Sequence, residues 1–381
     1  MKILLVNEGS VERAGVCLFM LQWAGALRRV LPDSDVTAYF RVGVRDSAVA
    51  RAFEEQKIRV ITGNIAESMT SADRANRQKL RADLRAAMIG GCDVVHVQSS
   101  VLGFTSIVLA EAMRAGVPVR VAHVHGKFDE SGLKRAAHHL LRWFIRRKAT
   151  AYAYCSEVAR TYMFGCGKAV KAKWCRVPNA IQTRRFACDA QARRRYRERV
   201  GIAEGEKLLG AVGYLEEVKN HAFLLEVMAE IKRRGLPAKL AILGEGSLRD
   251  QLARRIVALG LEDRVLLAGV TDDVPGWLSV MDVYLMPSLS EGFPISAVEA
   301  QASGLPCLMS DRITTEVDIT AAACHLPIDA GPAVWADAIE KQTPADAEAR
   351  TEAAEAVARA GYDVAAMDEV VRRLYPGSAK G

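Results

Sequence analysis

The chain lacks the features that mark several protein classes. Its eight cysteines (Cys17, Cys92, Cys155, Cys166, Cys175, Cys188, Cys307 and Cys324) form no CxxC pair. Neither a disulfide framework nor a zinc site is therefore indicated, which fits a reducing cytoplasm. No apolar run approaches the length of a membrane span. The opening residues, Met1-Lys2-Ile3-Leu4-Leu5-Val6-Asn7, have too short an apolar stretch and no cleavage site for a signal peptide. They read as a first β-strand. No low-complexity tract or short-period repeat occurs, which argues against a solenoid.

What is present is an ordinary globular composition over 381 residues, half hydrophobic and a quarter charged, enough for two domains. The net charge of +7 is unevenly spread. Between Leu133 and Ala149 there are six basic residues and no acidic one. On a helical wheel Leu133, Ala137, Leu140, Leu141, Phe144 and Ile145 share a face, most basic groups lie opposite, and Trp143 sits at the boundary. The pattern suits a helix on an anionic membrane surface, although a core-packed helix with a solvated basic face is its commoner origin. A second basic stretch, Arg193-Arg194-Arg195-Tyr196-Arg197, has no aromatic stacking platform beside it, so no nucleic-acid partner is expected.

Strand-like apolar runs alternate with amphipathic stretches, the pattern of βα units around parallel sheets. Candidate strands in the first half are Ile3 to Asn7, Val36 to Phe40, Ile58 to Ile61, Val94 to Val97, Val119 to His123, Ala151 to Cys155 and Trp174 to Val177. The second series is Leu208 to Val212, Leu240 to Leu243, Val265 to Ala268, Val283 to Met286, Cys307 to Met309 and Cys324 to Pro327. Two doubly wound α/β domains follow, 1–182 and 183–360. The join falls after the turn signal Pro178-Asn179, and a tail, 361–381, holds a final helix-like run from Met367 to Leu374.

The most informative segment runs from Glu291 to Ala300. The strand-like run Val283 to Met286 leads into it, and Pro294 suits the first position of a helix. Backbone donors of Gly292, Phe293, Ile295 and Ser296 then lack intrahelical partners, and such a helix start attracts phosphate. Glu291 and Glu299, eight positions apart, flank that seat with carboxylates that accept hydrogen bonds from hydroxyls. A nucleotide-sugar has this layout. With Ala300-Gln301-Ala302-Ser303-Gly304-Leu305-Pro306 following, the segment resembles retaining glycosyltransferases of the GT-B fold, family 4, in its bacterial surface-polysaccharide branch.

The resemblance implies roles for residues across the chain. Glu291 would contact the donor sugar and Glu299 the nucleotide ribose. Lys219, in the loop Val212-Gly213-Tyr214-Leu215-Glu216-Glu217-Val218-Lys219, matches a lysine that holds the donor diphosphate. The arginine expected with it is replaced by Tyr214, which carries no positive charge. Gly244, in Leu243-Gly244-Glu245-Gly246, and Val270 would line the donor site. At the end of one first-half strand, His125 resembles the histidine near the donor sugar, while His123 is either the matched histidine or an acceptor contact. Gly15 closes a loop from Glu8 that resembles the family's glycine loop. Ile313 to Ile319 and Ala360 to Val364 also look like segments of this branch, so the resemblance spans nearly the whole chain.

A retaining transfer from a UDP-hexose or UDP-N-acetylhexosamine to a growing, lipid-linked surface glycan is the implied reaction. The nucleotide-sugar is a substrate, so no cofactor and no metal is expected. The resemblance further implies that the tail crosses back to the first domain, that ligand lies in an interdomain cleft, and that the protein is cytoplasmic or peripheral at the inner membrane face. A catalytically silent nucleotide-sugar-binding protein, suggested by Tyr214, and a UDP-sugar epimerase on the same fold are the alternatives.

Overall fold

The computed structural model describes residues 1–12, 15–66, 74–126, 133–165, 174–343 and 347–375, with the side chains of 133–137 and 347–349 left aside. The chain divides into two compact units, Met1–Ala180 together with Val364–Gly381, and Ile181–Asp363.

The first unit runs β1 (Lys2–Asn7), α1 (Gly15–Val30), β2 (Asp35–Phe40), α2 (Ser47–Glu55), β3 (Arg59–Thr62), α3 (Arg74–Ala87), β4 (Val94–Gln98), α4 (Leu102–Arg114), β5 (Val119–Val124), α5 (Leu133–Lys148), β6 (Ala151–Tyr154), α6 (Glu157–Phe164) and β7 (Trp174–Arg176). Its sheet is parallel, in the order β3-β2-β1-β4-β5-β6-β7. Strands β1, β2, β4 and β5 are almost continuously buried. Helices cover both faces of such a sheet, which is why these strands read as unbroken apolar runs instead of alternating ones.

The second unit continues with α7 (Ala190–Arg199), β8 (Lys207–Val212), α8 (His221–Arg233), β9 (Ala238–Leu243), α9 (Arg249–Ala258), β10 (Val265–Gly269), α10 (Val274–Val280), β11 (Val283–Met286), α11 (Ile295–Ala302), β12 (Cys307–Ser310), β13 (Ala323–Leu326), α12 (Pro332–Lys341) and α13 (Ala347–Val357). Its parallel sheet has the order β10-β9-β8-β11-β12-β13. All thirteen expected strands are present, with ends shifted by a residue or two. Strand order reverses between β1 and β4 in one sheet and between β8 and β11 in the other. The crevice outside such a switch point is where doubly wound sheets bind ligands.

The last helix, α14 (Ala366–Leu374), belongs to the first unit. Met367, Val371, Leu374 and Tyr375 join the core formed by Ile3, Leu5, Phe19, Trp23 and Leu27. Arg29 adds a bidentate contact to Asp368 at 2.8 and 3.1 Å. Each fully buried side chain of this size contributes about 1.5–3 kcal/mol, so α14 is held mainly by its apolar face.

Two arginines of the basic stretch 193–197, Arg193 and Arg197, form an internal clamp. Arg193 donates to the carbonyls of Ser279, Val280 and Met281 at 2.9–3.0 Å. Together with Arg197 it also pairs with the buried carboxylate of Asp282. That carboxylate accepts from Leu208 N at 2.8 Å, tying α7 to the start of β8.

Candidate functional site

In the second unit the switch point is surrounded by the loops after β8, β9 and β11. The β8 and β9 loops are joined main chain to main chain: Gly213 N donates to Leu243 O at 3.0 Å and Leu215 N to Glu245 O at 2.9 Å. The glycines follow from that closeness. A Cβ on Gly244, whose φ is +138°, would stand 2.0 Å from Gly213 O, and one on Gly246 2.5 Å from Leu215 O. Loop packing alone thus accounts for the Gly244-Glu245-Gly246 pattern.

The β8 and β11 loops meet through Leu289 N, which donates to Val218 O at 2.8 Å. Asn220, in a left-handed conformation at φ +54°, reaches Pro287 O with its amide. This brings Lys219 Nζ to 2.6 Å from Glu291 Oε1, with both side chains mostly buried. The two residues expected at the donor's diphosphate and sugar therefore form one ion pair. Tyr214 and Val270 are well exposed, 51% and 63%.

Pro294 occupies the cap position before α11, with φ −75° and ψ 108°, and Ile295 is the first helical residue. This is one residue later than the sequence suggests. Proline's preference for a helix start covers both positions closely. Phe293 is buried and stacks on Tyr362, ring centroids 5.6 Å apart. Its side chain anchors the loop. Tyr284 Oη donates to Ser296 Oγ at 2.8 Å, bracing the first turn from β11.

Glu299, a turn further on, is pushed up to about pKa 7 by burial, an effect that the charge of Arg185 opposes. Arg185 lies in the short turn Thr183–Phe186, which packs on α11. Its side chain donates to Asp272 O at 3.4 Å. Sequence reading missed Arg185 because its link to Glu299 exists only through that packing.

In the first unit a second cluster stands at the carboxyl ends of β1, β4 and β5. His125 is half-buried. Its Nε2 lies 3.2 Å from Gln98 Oε1, while Ser100 Oγ accepts from Gly126 N at 2.9 Å. Burial pushes its pKa down to about 3, with the neighbouring Asn179 side chain pulling the other way. His123 is wholly buried, edge-on to Phe19. Its Nδ1 lies 3.3 Å from His96 Nε2, and His96 Nδ1 lies 2.7 Å from Tyr375 Oη.

His96 is likewise pushed down to about pKa 3 by burial, and His123 well below the ordinary range. Three neutral imidazoles in a row are the result. Glu8, raised by burial, bonds to Ser99 in the same region. Gly15 opens α1 with nothing near its missing side chain, while Arg13 and Ala14 of that loop lie outside the described residues. His96 and Tyr375 were missed as well: His96 sits inside an apolar strand and Tyr375 is 279 positions away.

Comparisons with known proteins bear on the family. The family model for glycosyl transferases group 1 matches residues 192–355, and that for glycosyltransferase family 4 matches 23–185. EpsF of Bacillus subtilis (strain 168), named as an inferred glycosyltransferase, is 36% identical over 267 residues, 68% of each chain. The Escherichia coli UDP-Gal:alpha-D-GlcNAc-diphosphoundecaprenol alpha-1,3-galactosyltransferase is 28% identical over 229 residues, 58% of each chain. Among solved structures, Anabaena HepE in complex with UDP-glucose superposes with a TM-score of 0.75 at 17% identity, covering 98% of both chains. The chain belongs to the family 4 glycosyltransferases of bacterial polysaccharide type, with the GT-B fold, and is a glycosyl-transferring enzyme.

Proposed function

We propose that the chain transfers a hexose or N-acetylhexosamine, with retention, from a UDP-sugar to a lipid-linked saccharide. The observation that carries this reading is the Lys219–Glu291 pair, 2.6 Å apart, with Glu291 in the loop that leads into α11, the helix that carries Glu299. A diphosphate entering at the helix start would draw Lys219 from Glu291, freeing the carboxylate to accept hydrogen bonds from the donor sugar. Lys219 and the backbone N–H groups of Ile295 and Ser296 would then stabilise the charge that develops on the departing UDP. Glu299 would accept the ribose hydroxyls, with Gly292 and Phe293 offering backbone donors. Tyr214 supplies one hydrogen bond where an arginine would supply charge, and Arg185 adds positive charge near Glu299.

UDP as the nucleotide is supported by the E. coli relative's name and by the UDP-glucose bound to HepE. Screening thermal stabilisation by UDP-, GDP- and ADP-sugars tests it, since a specific ligand raises the melting temperature by mass action. Greater stabilisation by GDP- or ADP-sugars contradicts the UDP assignment. Turnover is proposed to need no metal because Lys219 supplies the compensating charge. A rate abolished by EDTA and restored by magnesium overturns that part.

A lipid-linked acceptor is supported by the E. coli relative, named for a diphosphoundecaprenol substrate. A specific feature favours membrane contact at α5: Leu140 and Trp143 are exposed, 57% and 46%, and the Arg147 guanidinium lies 4.1 Å from the Trp143 ring centre. Among the described residues no helix is long and apolar enough to cross a membrane, so contact would be peripheral. Flotation with anionic liposomes at low salt tests this. Binding weakened by Trp143→Ala is expected, and no flotation even at low salt contradicts it.

A further inference from the structure

We propose that Tyr375 and His96 are positioning residues: they set the tautomer of His123, and thereby the polar group the first unit offers to a substrate hydroxyl beside His125. The inference deepens the transferase reading and rests on it. Its basis is a continuous chain of contacts. Trp23 Nε1 donates to Tyr375 Oη at 3.1 Å, Tyr375 Oη lies 2.7 Å from His96 Nδ1, and His96 Nε2 lies 3.3 Å from His123 Nδ1. The His123 and His125 rings are 4.1 Å apart, centre to centre.

A neutral imidazole has one N–H donor and one acceptor nitrogen, so the chain must run in a single direction. If Tyr375 donates to His96 Nδ1, His96 carries its proton on Nε2 and donates to His123 Nδ1. His123 then holds its own proton on Nε2. If Tyr375 accepts instead, both histidines carry their protons on Nδ1, and His123 Nε2 is a bare lone pair. Either way the two rings share one tautomer, and the hydroxyl two residues away in the chain of contacts decides whether His123 Nε2 offers a proton or a lone pair.

That nitrogen is fully buried and has no hydrogen-bond partner among the described residues. Leaving a buried polar atom unpaired is costly, so its retention points to a partner arriving with substrate. Gln98 Nε2, on the residue paired in register with His123 and bonded to His125, is unpartnered in the same way. Two neutral polar groups of this kind suit the hydroxyls of a sugar. Tyr375 closes α14, so the segment returning to the first unit contributes to the site as well as to the core.

The test is nitrogen-15 NMR of the histidine rings in the full chain at pH 7, with UDP-glucose as the kinetic probe. Wild-type His96 and His123 are expected to show the same tautomer, and a mixed pair overturns the proposal whether or not any variant folds. In Tyr375→Phe, which keeps the ring and its packing, the two tautomers should become averaged. Turnover should fall about tenfold, with UDP-glucose affinity held within about twofold, the loss of one orienting hydrogen bond. Unchanged turnover, or slower turnover with tautomers unaltered, contradicts the role. Absence of UDP-glucose turnover by the wild type would count against the transferase reading, and the tautomers would still decide this one.

Discussion

The candidate site in the second unit is built from opposed charges, whereas that in the first is built from uncharged ring nitrogens. Lys219 and Glu291 neutralise one another at 2.6 Å, and Arg185 faces the partly protonated Glu299. His96, His123 and His125 are kept neutral by burial, and Glu8, bonded to Ser99 in the same region, is itself raised. The difference matches two tasks. A diphosphate must be held and then released with its charge compensated, while sugar hydroxyls are better sorted by hydrogen bonds that have a fixed direction. Both sites stand where strand order reverses, so the same architecture supports two electrostatic designs.

Removing the charge should separate the two regions most clearly. Lys219→Ala is expected to lower turnover of UDP-glucose by about 10²–10³-fold, the usual loss for a group that stabilises developing charge. Steady-state rates at saturating donor check this; a loss below about tenfold would place the compensating charge elsewhere. His125→Gln, which keeps hydrogen-bonding capacity but not ring geometry, should cost less, about tenfold. A larger loss than that of Lys219→Ala would reverse the ranking of the two sites.

Proton linkage sharpens the same contrast. The folded Glu299 titrates near pH 7, so in the free protein the carboxylate form that accepts ribose hydroxyls is mostly present above pH 7 and mostly protonated below it. UDP-glucose affinity should therefore fall about tenfold from pH 8 to pH 6. Calorimetric titration measures it. Glu299→Gln should flatten the dependence and His125→Gln should leave it in place, because the histidine stays neutral throughout that range. Dependence that survives Glu299→Gln would assign the titration to another group.

Restoring charge gives the smallest expected effect. Tyr214 is half exposed, so Tyr214→Arg places a cation where solvent screens it, and UDP should bind about threefold to tenfold tighter at low salt. Unchanged affinity would mean that the Tyr214 position does not face the diphosphate.

Much of the fold was legible because parallel strands covered on both faces leave continuous apolar runs, and thirteen such runs stand apart from amphipathic helices. The donor site was legible where its chemistry is local in sequence: Glu291, Pro294 and Glu299 belong to one strand-to-helix passage. Gly244 was visible as a glycine, but the close approach of Gly213 O, not a phosphate, accounts for it here. The first-unit network was hidden since its members come from β4, β5, α1 and the end of α14, and no periodicity links His96 to Tyr375. His123 illustrates the limit: its place at a strand end was legible, yet only packing shows that its ring is buried.

The most direct test of the account is the release of UDP from UDP-glucose by the wild type and by Glu291→Ala, with donor affinity measured for both. The account predicts steady release by the wild type, and at least about a hundredfold less from Glu291→Ala with affinity reduced far less, since the carboxylate acts on the sugar more than on the nucleotide. Equal release from the two proteins, or tight binding with no release from the wild type, would contradict it.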